Sequence, residues 1–150
     1  KINLENFIIN NFTDFLIFRL PEVIGKNKNK HTLTNNIYNK IMSDKNIFTS
    51  NKVFRNILDI EDIKKIEKYN INLKINKKII PIANPKMYSG LEIINSFENI
   101  LNKKAKIKIS NFFDNNNFKI KIRNSNTLLK KLKINIDERY LENKIKKYYK

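Results

Sequence analysis

The segment from Phe54 to Ile63 reads FRNILDIEDI, and it joins a strand signal directly to a helix signal. The apolar run that ends at Leu58 predicts a buried strand over residues 53–58. The acids between Asp59 and Asp62 then lead into a helix that runs to about Tyr69, because negative charge is favoured at the N-terminal end of a helix dipole. A strand that is followed at once by a helix is the repeating unit of an α/β protein.

The same alternation of strand and helix signals runs along the rest of the chain. The sharpest local pattern is the capping box Ser89-Gly90-Leu91-Glu92, which opens a helix with apolar residues at helical spacing. The alternation predicts an α/β fold with some parallel strand pairing. The other predicted helices cover 1–11, 32–41, 127–132 and a segment from 137 onward, the strands cover 15–20, 47–50, 78–83, 105–109 and 118–122, a loop covers 21–30, and a turn covers 115–117.

The composition excludes several classes of protein. Apolar residues make up 41% of the 150 positions, which indicates a folded chain with a core. No apolar run approaches the roughly 20 residues that span a bilayer. The sequence holds no Cys and one His, so it excludes disulfides, thiolate metal sites and multi-histidine metal sites. These features fit a cytoplasmic protein without a membrane partner, and the first residue, Lys1, indicates that the true N-terminus lies further upstream.

The net charge of +17 has two interpretations. One is a basic RNA-binding or ribosomal protein of an A/T-rich genome, since such a charge attracts nucleic acid. The other is codon bias alone, because Lys, Asn and Ile each occur 27 times and A/T-rich codons encode all three. Arg, the residue best suited to bidentate phosphate contacts, occurs only four times. The scarcity of Arg and the even scatter of Lys favour codon bias.

Three segments and the tail carry a resemblance to a known family. They are FRLPEVIG (Phe18 to Gly25), FRNILDIEDI, and IANPKMYSGLEIINSFENILNKKAKI (Ile82 to Ile107), followed by residues 124–150. In this order and spacing they resemble the C-terminal half of the NAD-dependent epimerase/dehydratase family, the nucleotide-sugar enzymes of the extended short-chain dehydrogenase type. The corresponding family patterns are Arg-x-x-Asn-Val-x-Gly, Arg-Asp/Asn-x-x-x-Val-x-Asp-Val, and a strand ending in Asn before a Ser-x-x-Glu helix.

The resemblance implies a fold and a division of the chain. The fold would be the C-terminal part of a Rossmann-type extended short-chain dehydrogenase, with the last parallel strands and a small α/β substrate-binding subdomain. Residues 1–20 and 53–85 would be the remnant of the Rossmann core, and residues 21–52 and 86–150 the substrate-binding subdomain. The N-terminal dinucleotide-binding half would be missing, which agrees with the absence of a Gly-x-Gly-x-x-Gly motif.

The resemblance also implies a function. The chain would be the substrate-binding half of an NAD- or NADP-dependent nucleotide-sugar epimerase, dehydratase or reductase of surface polysaccharide biosynthesis. Its partner would be a nucleotide-sugar, the full-length protein would form a homodimer, and the isolated fragment would be inactive. The cofactor would need the missing half.

Lys1 would be the catalytic lysine of the family's Tyr-x-x-x-Lys signature, because Glu5 follows at the offset common in the family. Its ammonium would lower the pKa of the upstream Tyr, which otherwise ionises near pH 10 and is a poor base at pH 7. In the family this Lys also holds the nicotinamide ribose. Leu20 and Pro21 would lie beside the nicotinamide. The alternative is that Lys1 is an ordinary exposed lysine on a helix.

Six further residues would face the substrate. Arg55 would contact the diphosphate, since its fork of donors matches phosphate oxygens; the alternative is an ion pair with Asp59. Glu22 stands where the family usually has Asn and would repel phosphate. The remaining four are His31 and Thr32, which open a helix, and Lys86 and Tyr88, which lie in the second substrate-side loop. Thr32 is also predicted to cap its helix, and Asp62 is predicted to be a helix cap.

Overall fold

The computed structural model describes residues 2–50, 52–110 and 125–150, with the side chains of residues 125 and 126 left aside. Six helices and eight short strands alternate along these residues. In chain order they are α1 Ile2–Asn11, β1 Leu16–Arg19, β2 Glu22–Ile24, α2 Leu33–Met42, β3 Asn46–Thr49, β4 Phe54–Arg55, β5 Ile57–Asp59, α3 Ile60–Asn72, β6 Lys78–Pro81, β7 Tyr88–Ser89, α4 Gly90–Leu101, β8 Lys106–Ile109, α5 Ser125–Lys131 and α6 Tyr140–Tyr149.

The structure corrects one predicted loop and one predicted strand. The loop predicted over 21–30 contains β2, which forms because it pairs with β5 further along the chain. The strand predicted over 53–58 is divided at Asn56 into β4 and β5, since the Asn56 side chain bonds to another loop. The strand predicted over 118–122 and the turn predicted over 115–117 lie outside the described residues.

The strands form four pairs, of which three are parallel. β1 pairs with β6, β2 with β5, and β3 with β8, all in parallel, while β4 and β7 are antiparallel. Each parallel pair needs a crossover, and helices α2, α3 and α4 lie within these crossovers. The expected α/β fold with parallel pairing is therefore confirmed.

Strand β5 lies between two hydrophobic clusters. Side chains alternate along a strand, so Ile57 packs in the cluster formed with α2, α4 and α6, and Leu58 packs in the cluster formed with α3 and α5. Both side chains are fully buried. Burial on both faces explains why this stretch is apolar without polar alternation.

Two helix starts differ from the sequence prediction. The cap of α3 is Asp59, whose side chain accepts the Glu61 N–H at 3.2 Å, and not Asp62. The last helix begins at Tyr140 rather than at Asp137. The Asp137 side chain accepts the Arg139 N–H, and this bond forms a turn before the helix. The capping box at Ser89 forms as predicted, with both of its hydrogen bonds.

Asp62 belongs instead to a buried acidic cluster that receives helix α6. The Tyr140 hydroxyl donates to Asp62 at 2.8 Å and accepts the Asp59 N–H at 2.9 Å. The Lys144 ammonium bridges Asp59 at 2.8 Å and Asp62 at 3.2 Å. The Tyr148 hydroxyl donates to Asp59 at 2.6 Å. Helix α6 is therefore fixed to the start of α3 by charge-assisted hydrogen bonds.

Helix α1 contrasts with the other helices because it contributes no buried residue. Its apolar side chains are exposed, and the Arg19 guanidinium holds it to β1 through a bidentate ion pair with Glu5, at 2.6 Å for the shortest contact. The exposed apolar residues are Ile2, Leu4, Phe7 and Ile9 in the helix, and Phe12 directly after it. Several exposed apolar side chains on one helix are typical of a surface that another part of a protein covers. Within the described residues, no helix is both long and apolar enough to cross a membrane.

Replacing Asp59 with Asn is expected to lower the free energy of unfolding by about 2–4 kcal/mol, because the half-buried Lys144 ammonium loses the nearer of its two charged partners. Urea denaturation at pH 7 measures this loss. Asp44→Asn is the matched control, since Asp44 is exposed and makes only a surface ion pair with Lys103. The control should change the unfolding free energy by less than about 1 kcal/mol.

The stability difference between the parent chain and Asp59→Asn should also depend on pH, and the pKa of Asp59 sets the direction. Burial raises the pKa of Asp59, but hydrogen bonds from Lys144 and Tyr148 outweigh burial and hold that pKa below its usual range. The stabilisation is therefore complete above the unfolded-state pKa of about 4 and is lost as the pH falls through the folded-state value. The stability difference between parent and Asp59→Asn should shrink below about pH 4, and a constant difference down to pH 2 would contradict this account.

Candidate functional site

Asn56 connects the three segments that the sequence analysis assigned to the site. Its backbone carbonyl accepts the Glu22 N–H at 3.0 Å. Its side-chain amide donates to the Asn84 carbonyl at 2.7 Å and to the Lys86 carbonyl at 3.3 Å. Since Arg55 directly precedes Asn56, one buried residue orders the loops around Glu22, Arg55 and Lys86.

Asn84 completes this connection from the other side. Its backbone N–H donates to the Asn56 side-chain oxygen at 2.8 Å, so the two residues are bonded reciprocally. Its own side chain donates to the Ile57 carbonyl at 2.9 Å and accepts the Lys86 N–H at 2.8 Å. Asn84 is 1% exposed, and every polar atom of its side chain is bonded within the protein.

Arg55 is exposed on β4 and lines a cavity of about 130 Å³, here called the Arg55 cavity. One wall is the α2 face that carries Asn36 and Lys40, and the other walls come from β3 and the start of α4. The remaining lining residues are Leu33, Ile37, Ile47, Phe48, Thr49, Ser50, Val53, Gly90, Ile93 and Ile94. The cavity thus combines a guanidinium, an ammonium and two hydroxyls with an apolar floor, which suits an organic phosphate.

Gly90 allows α4 to approach the floor of this cavity. A Cβ atom at residue 90 would lie 2.0 Å from the Thr49 Oγ1 atom, which is far inside contact distance. A glycine is therefore required here by close packing, and the sequence shows it as one of only two glycines. The contact places the N-terminus of α4 directly against Thr49.

Lys86 and Tyr88 line a different cavity, of about 230 Å³, together with residues of α4 and α6. Tyr88 is only 2% exposed and belongs to the first hydrophobic cluster, where burial raises its pKa. The Lys86 ammonium lies over its ring, 5.1 Å from the centroid. Arg55 and Lys86 are thus close in the chain fold but line separate cavities.

The other predicted site residues lie at the edges of this region. Glu22 is exposed at the start of β2, Leu20 is 46% exposed, and Pro21 between them is half-buried. His31 is exposed and its N–H is bonded to the Asn29 side chain. Lys1 lies outside the described residues, so its predicted role stays a prediction.

Thr32 occupies the N-cap position of α2 as predicted, but its side chain makes no capping bond. The Thr32 hydroxyl instead donates to the Asn29 carbonyl at 3.2 Å. The alternative ion pair between Arg55 and Asp59 does not form in the described part of the chain, where Asp59 is fully buried and bound to Lys144.

Sequence reasoning missed Asn56, Asn84, Phe48 and Thr49. Asn56 left a usable signal, since it is an amide inside an otherwise apolar strand segment, where a polar side chain must find a buried partner. Phe48 left a weaker one, because it is 59% exposed although strand residues on either side of it are buried. The residues that the structure describes contain no cluster of acids and histidine that could hold a metal ion.

Asn84→Ala is expected to lower the free energy of unfolding by about 2–4 kcal/mol, because it leaves the Ile57 carbonyl and the Lys86 N–H without their partner. Amide exchange at Lys86 should accelerate as the loop loosens. The control Asn95→Ala removes an exposed amide from α4 and should cost less than about 0.5 kcal/mol. Equal effects of the two substitutions would show that Asn84 does not order this loop.

No protein-family model and no curated protein matches this sequence. Solved structures do match its fold. UDP-glucuronic acid 4-epimerase from Bacillus cereus, in complex with NAD, aligns with a TM-score of 0.61 and 23% identity over 73% of this chain and 37% of its own. WbmG from Bordetella bronchiseptica, in complex with NAD and UDP, aligns with a TM-score of 0.70 and 13% identity over 95% of this chain and 44% of its own.

A third similar structure is dTDP-glucose 4,6-dehydratase from Bacillus anthracis, in complex with NAD, with a TM-score of 0.56 and 13% identity over 63% of this chain and 32% of its own. The chain spans less than half the length of each of these three proteins. At these identities the likeness concerns the fold. The predicted α/β fold is confirmed: this chain folds like a part of each of these three proteins.

Proposed function

We propose that this chain is the substrate-binding half of an NAD- or NADP-dependent nucleotide-sugar epimerase, dehydratase or reductase, of the kind that serves surface polysaccharide synthesis. The observation that carries the proposal is that the exposed Arg55 lines a cavity. Solved structures with a similar fold include an epimerase bound to a UDP-sugar and an enzyme bound to UDP. The ligand would be a nucleoside diphosphate joined to a sugar.

The chemistry of the lining supports this choice of ligand. A guanidinium binds two phosphate oxygens at once, and the Lys40 ammonium on the facing helix adds a second positive charge. The exposed Phe48 ring, also in the lining, offers a flat apolar surface for a base. A cavity of about 130 Å³ holds only part of such a ligand, so the rest of it would extend toward the partner half.

The remaining predicted roles complete the proposal. Lys1 would hold the nicotinamide ribose and lower the pKa of a Tyr four residues upstream, which then accepts a proton from a sugar hydroxyl. The cofactor supplies the hydride chemistry when it is bound. Leu20 and Pro21 would border the nicotinamide, and His31, Thr32 and Lys86 would border the substrate. Because Tyr88 is buried, its role would be to position Lys86, whose ammonium lies over the Tyr88 ring.

Glu22 is a specific departure within this proposal. A carboxylate there repels phosphate, whereas the Asn of the resembling family can donate a hydrogen bond. We therefore assign Glu22 to the sugar end of the ligand, where a carboxylate can accept hydrogen bonds from hydroxyl groups.

Arg55→Gln is expected to weaken UDP binding by the chain about 10–100-fold, because it removes charge-assisted hydrogen bonds to the diphosphate. A titration followed by NMR measures the dissociation constant and should shift the amides of Thr49 and Gly90. Arg139→Gln is the matched control, since Arg139 is an exposed arginine outside the Arg55 cavity. UDP binding that is equally weakened by both substitutions would contradict a diphosphate site at Arg55.

Calorimetric titration of the 150-residue chain with NAD should show no low-micromolar binding. In this type of fold the dinucleotide phosphates are held by the first strand-turn-helix unit with its Gly-rich turn, and this sequence holds no such motif. UDP in a parallel titration controls for folded protein. Low-micromolar NAD affinity of this chain alone would overturn the proposed division between cofactor and substrate halves.

A further inference from the structure

The loop after β2 and the end of α6 enclose a large open cleft of about 650 Å³, here called the lysine cleft. Five lysines line it, and none of its lining residues is acidic. The lining residues are Gly25, Lys26, Asn27, Lys28, Lys30, Asn35, Tyr38, Asn39, Lys147, Tyr148, Tyr149 and Lys150. The two lysine groups come from opposite ends of the sequence and meet only through the fold.

The alternating sequence Lys26-Asn27-Lys28-Asn29-Lys30 builds one wall of the cleft. Its asparagines are committed to the protein: the Asn27 side-chain oxygen accepts from the Asn29 N–H at 3.0 Å and from the Asn35 amide at 2.9 Å. The Asn35 amide also donates to the Asn29 carbonyl at 2.8 Å. The asparagines therefore fix the loop, and the lysines between them are exposed.

The three loop lysines are not engaged within the protein. Among the described residues, no ion pair or hydrogen bond involves the ammonium groups of Lys26, Lys28 or Lys30. Like charges that a fixed loop holds close together repel one another, and a multiply charged anion relieves that repulsion.

The opposite wall contains three tyrosine rings, and the hydroxyl groups of two of them are already bonded. The Tyr148 hydroxyl donates to Asp59 at 2.6 Å, and the Tyr149 hydroxyl bonds Thr34 at 2.8 Å. The Tyr38 and Tyr149 rings pack with their centroids 5.0 Å apart. This wall offers flat apolar surface beside the lysines.

The lysine cleft is separate from the Arg55 cavity, and helix α2 divides them. Asn36 and Lys40 line the Arg55 cavity, whereas Asn35, Tyr38 and Asn39 line the lysine cleft. The two linings share no residue. A ligand in the lysine cleft is therefore independent of the nucleotide-sugar proposal.

We propose that the lysine cleft binds a compact anion with three or more linked phosphate groups. Lysine binds phosphate as a mobile point charge, which suits a ligand with several anionic groups better than a single planar one. The lining contains no acidic side chain and includes three unengaged loop lysines, and both features favour a ligand of high negative charge density. The cleft is large enough for a free oligophosphate or for the phosphate end of a nucleotide.

The test uses inorganic tripolyphosphate and the complete 150-residue chain. The triple substitution Lys26→Gln, Lys28→Gln and Lys30→Gln should weaken tripolyphosphate binding at least about tenfold in calorimetric titration. The matched control replaces Lys45, Lys68 and Lys130 with Gln, which removes the same net charge from exposed positions outside the three cavities described above. Thermal unfolding verifies that both variants remain folded.

The outcomes separate a site from general charge. Selective weakening in the loop variant supports the proposal, and ATP in a parallel titration then distinguishes a nucleotide from a free oligophosphate as the better ligand. Equal weakening in both variants, or no binding by the parent chain, overturns it. Tight binding of single-stranded RNA without tripolyphosphate binding also overturns it, because the cleft would then belong to a nucleic-acid surface. UDP binding at Arg55 is read separately, from the amide shifts of Thr49 and Gly90, which line only the Arg55 cavity, so the two proposals fail separately.

Discussion

The reciprocal hydrogen bonds between Asn56 and Asn84 are the constraint on which the candidate site depends. Both residues are buried, so each amide must find a partner inside the protein, and each finds the other. The pairing interrupts the strand at Asn56 and turns Arg55 outward on a separate short strand. It also fixes the loop before α4, and therefore the positions of Lys86 and Gly90 relative to Arg55.

This arrangement is supported from behind by strand β5 and helix α6. Ile57 and Leu58 are fully buried in different clusters, which prevents β5 from sliding, since a shift of one residue would exchange the two faces. Asp59 at the end of the strand is held by Lys144 and Tyr148 of α6. The carboxylate thus couples the last helix of the chain to the short strand that follows Arg55.

Local patterns predicted the helices well and the site connections poorly. The capping box at Ser89 and the apolar spacing of α4 are encoded within a few residues, so they are visible in the sequence. Strand β2 was missed because its pairing with β5 joins residues more than thirty positions apart. Asp62 was misread for the same reason, since its partners Tyr140 and Lys144 come from α6. Arg55 was predicted as a site residue only because the order of the motifs pointed to it.

The scarcity of arginine makes its positions more informative than the net charge. Lysines cover every segment, so a lysine on the surface distinguishes little, and only their arrangement in a fixed loop free of acids sets the lysine cleft apart. Arg19 forms an ion pair with Glu5, whereas Arg55 lines a cavity and forms no ion pair with Asp59 in the described part of the chain. In a sequence with so many lysines and only four arginines, an Arg at a cavity is typical of a planar, bidentate contact with an anion. The position of Arg55 therefore supports the proposed phosphate contact independently of the charge that the composition imposes.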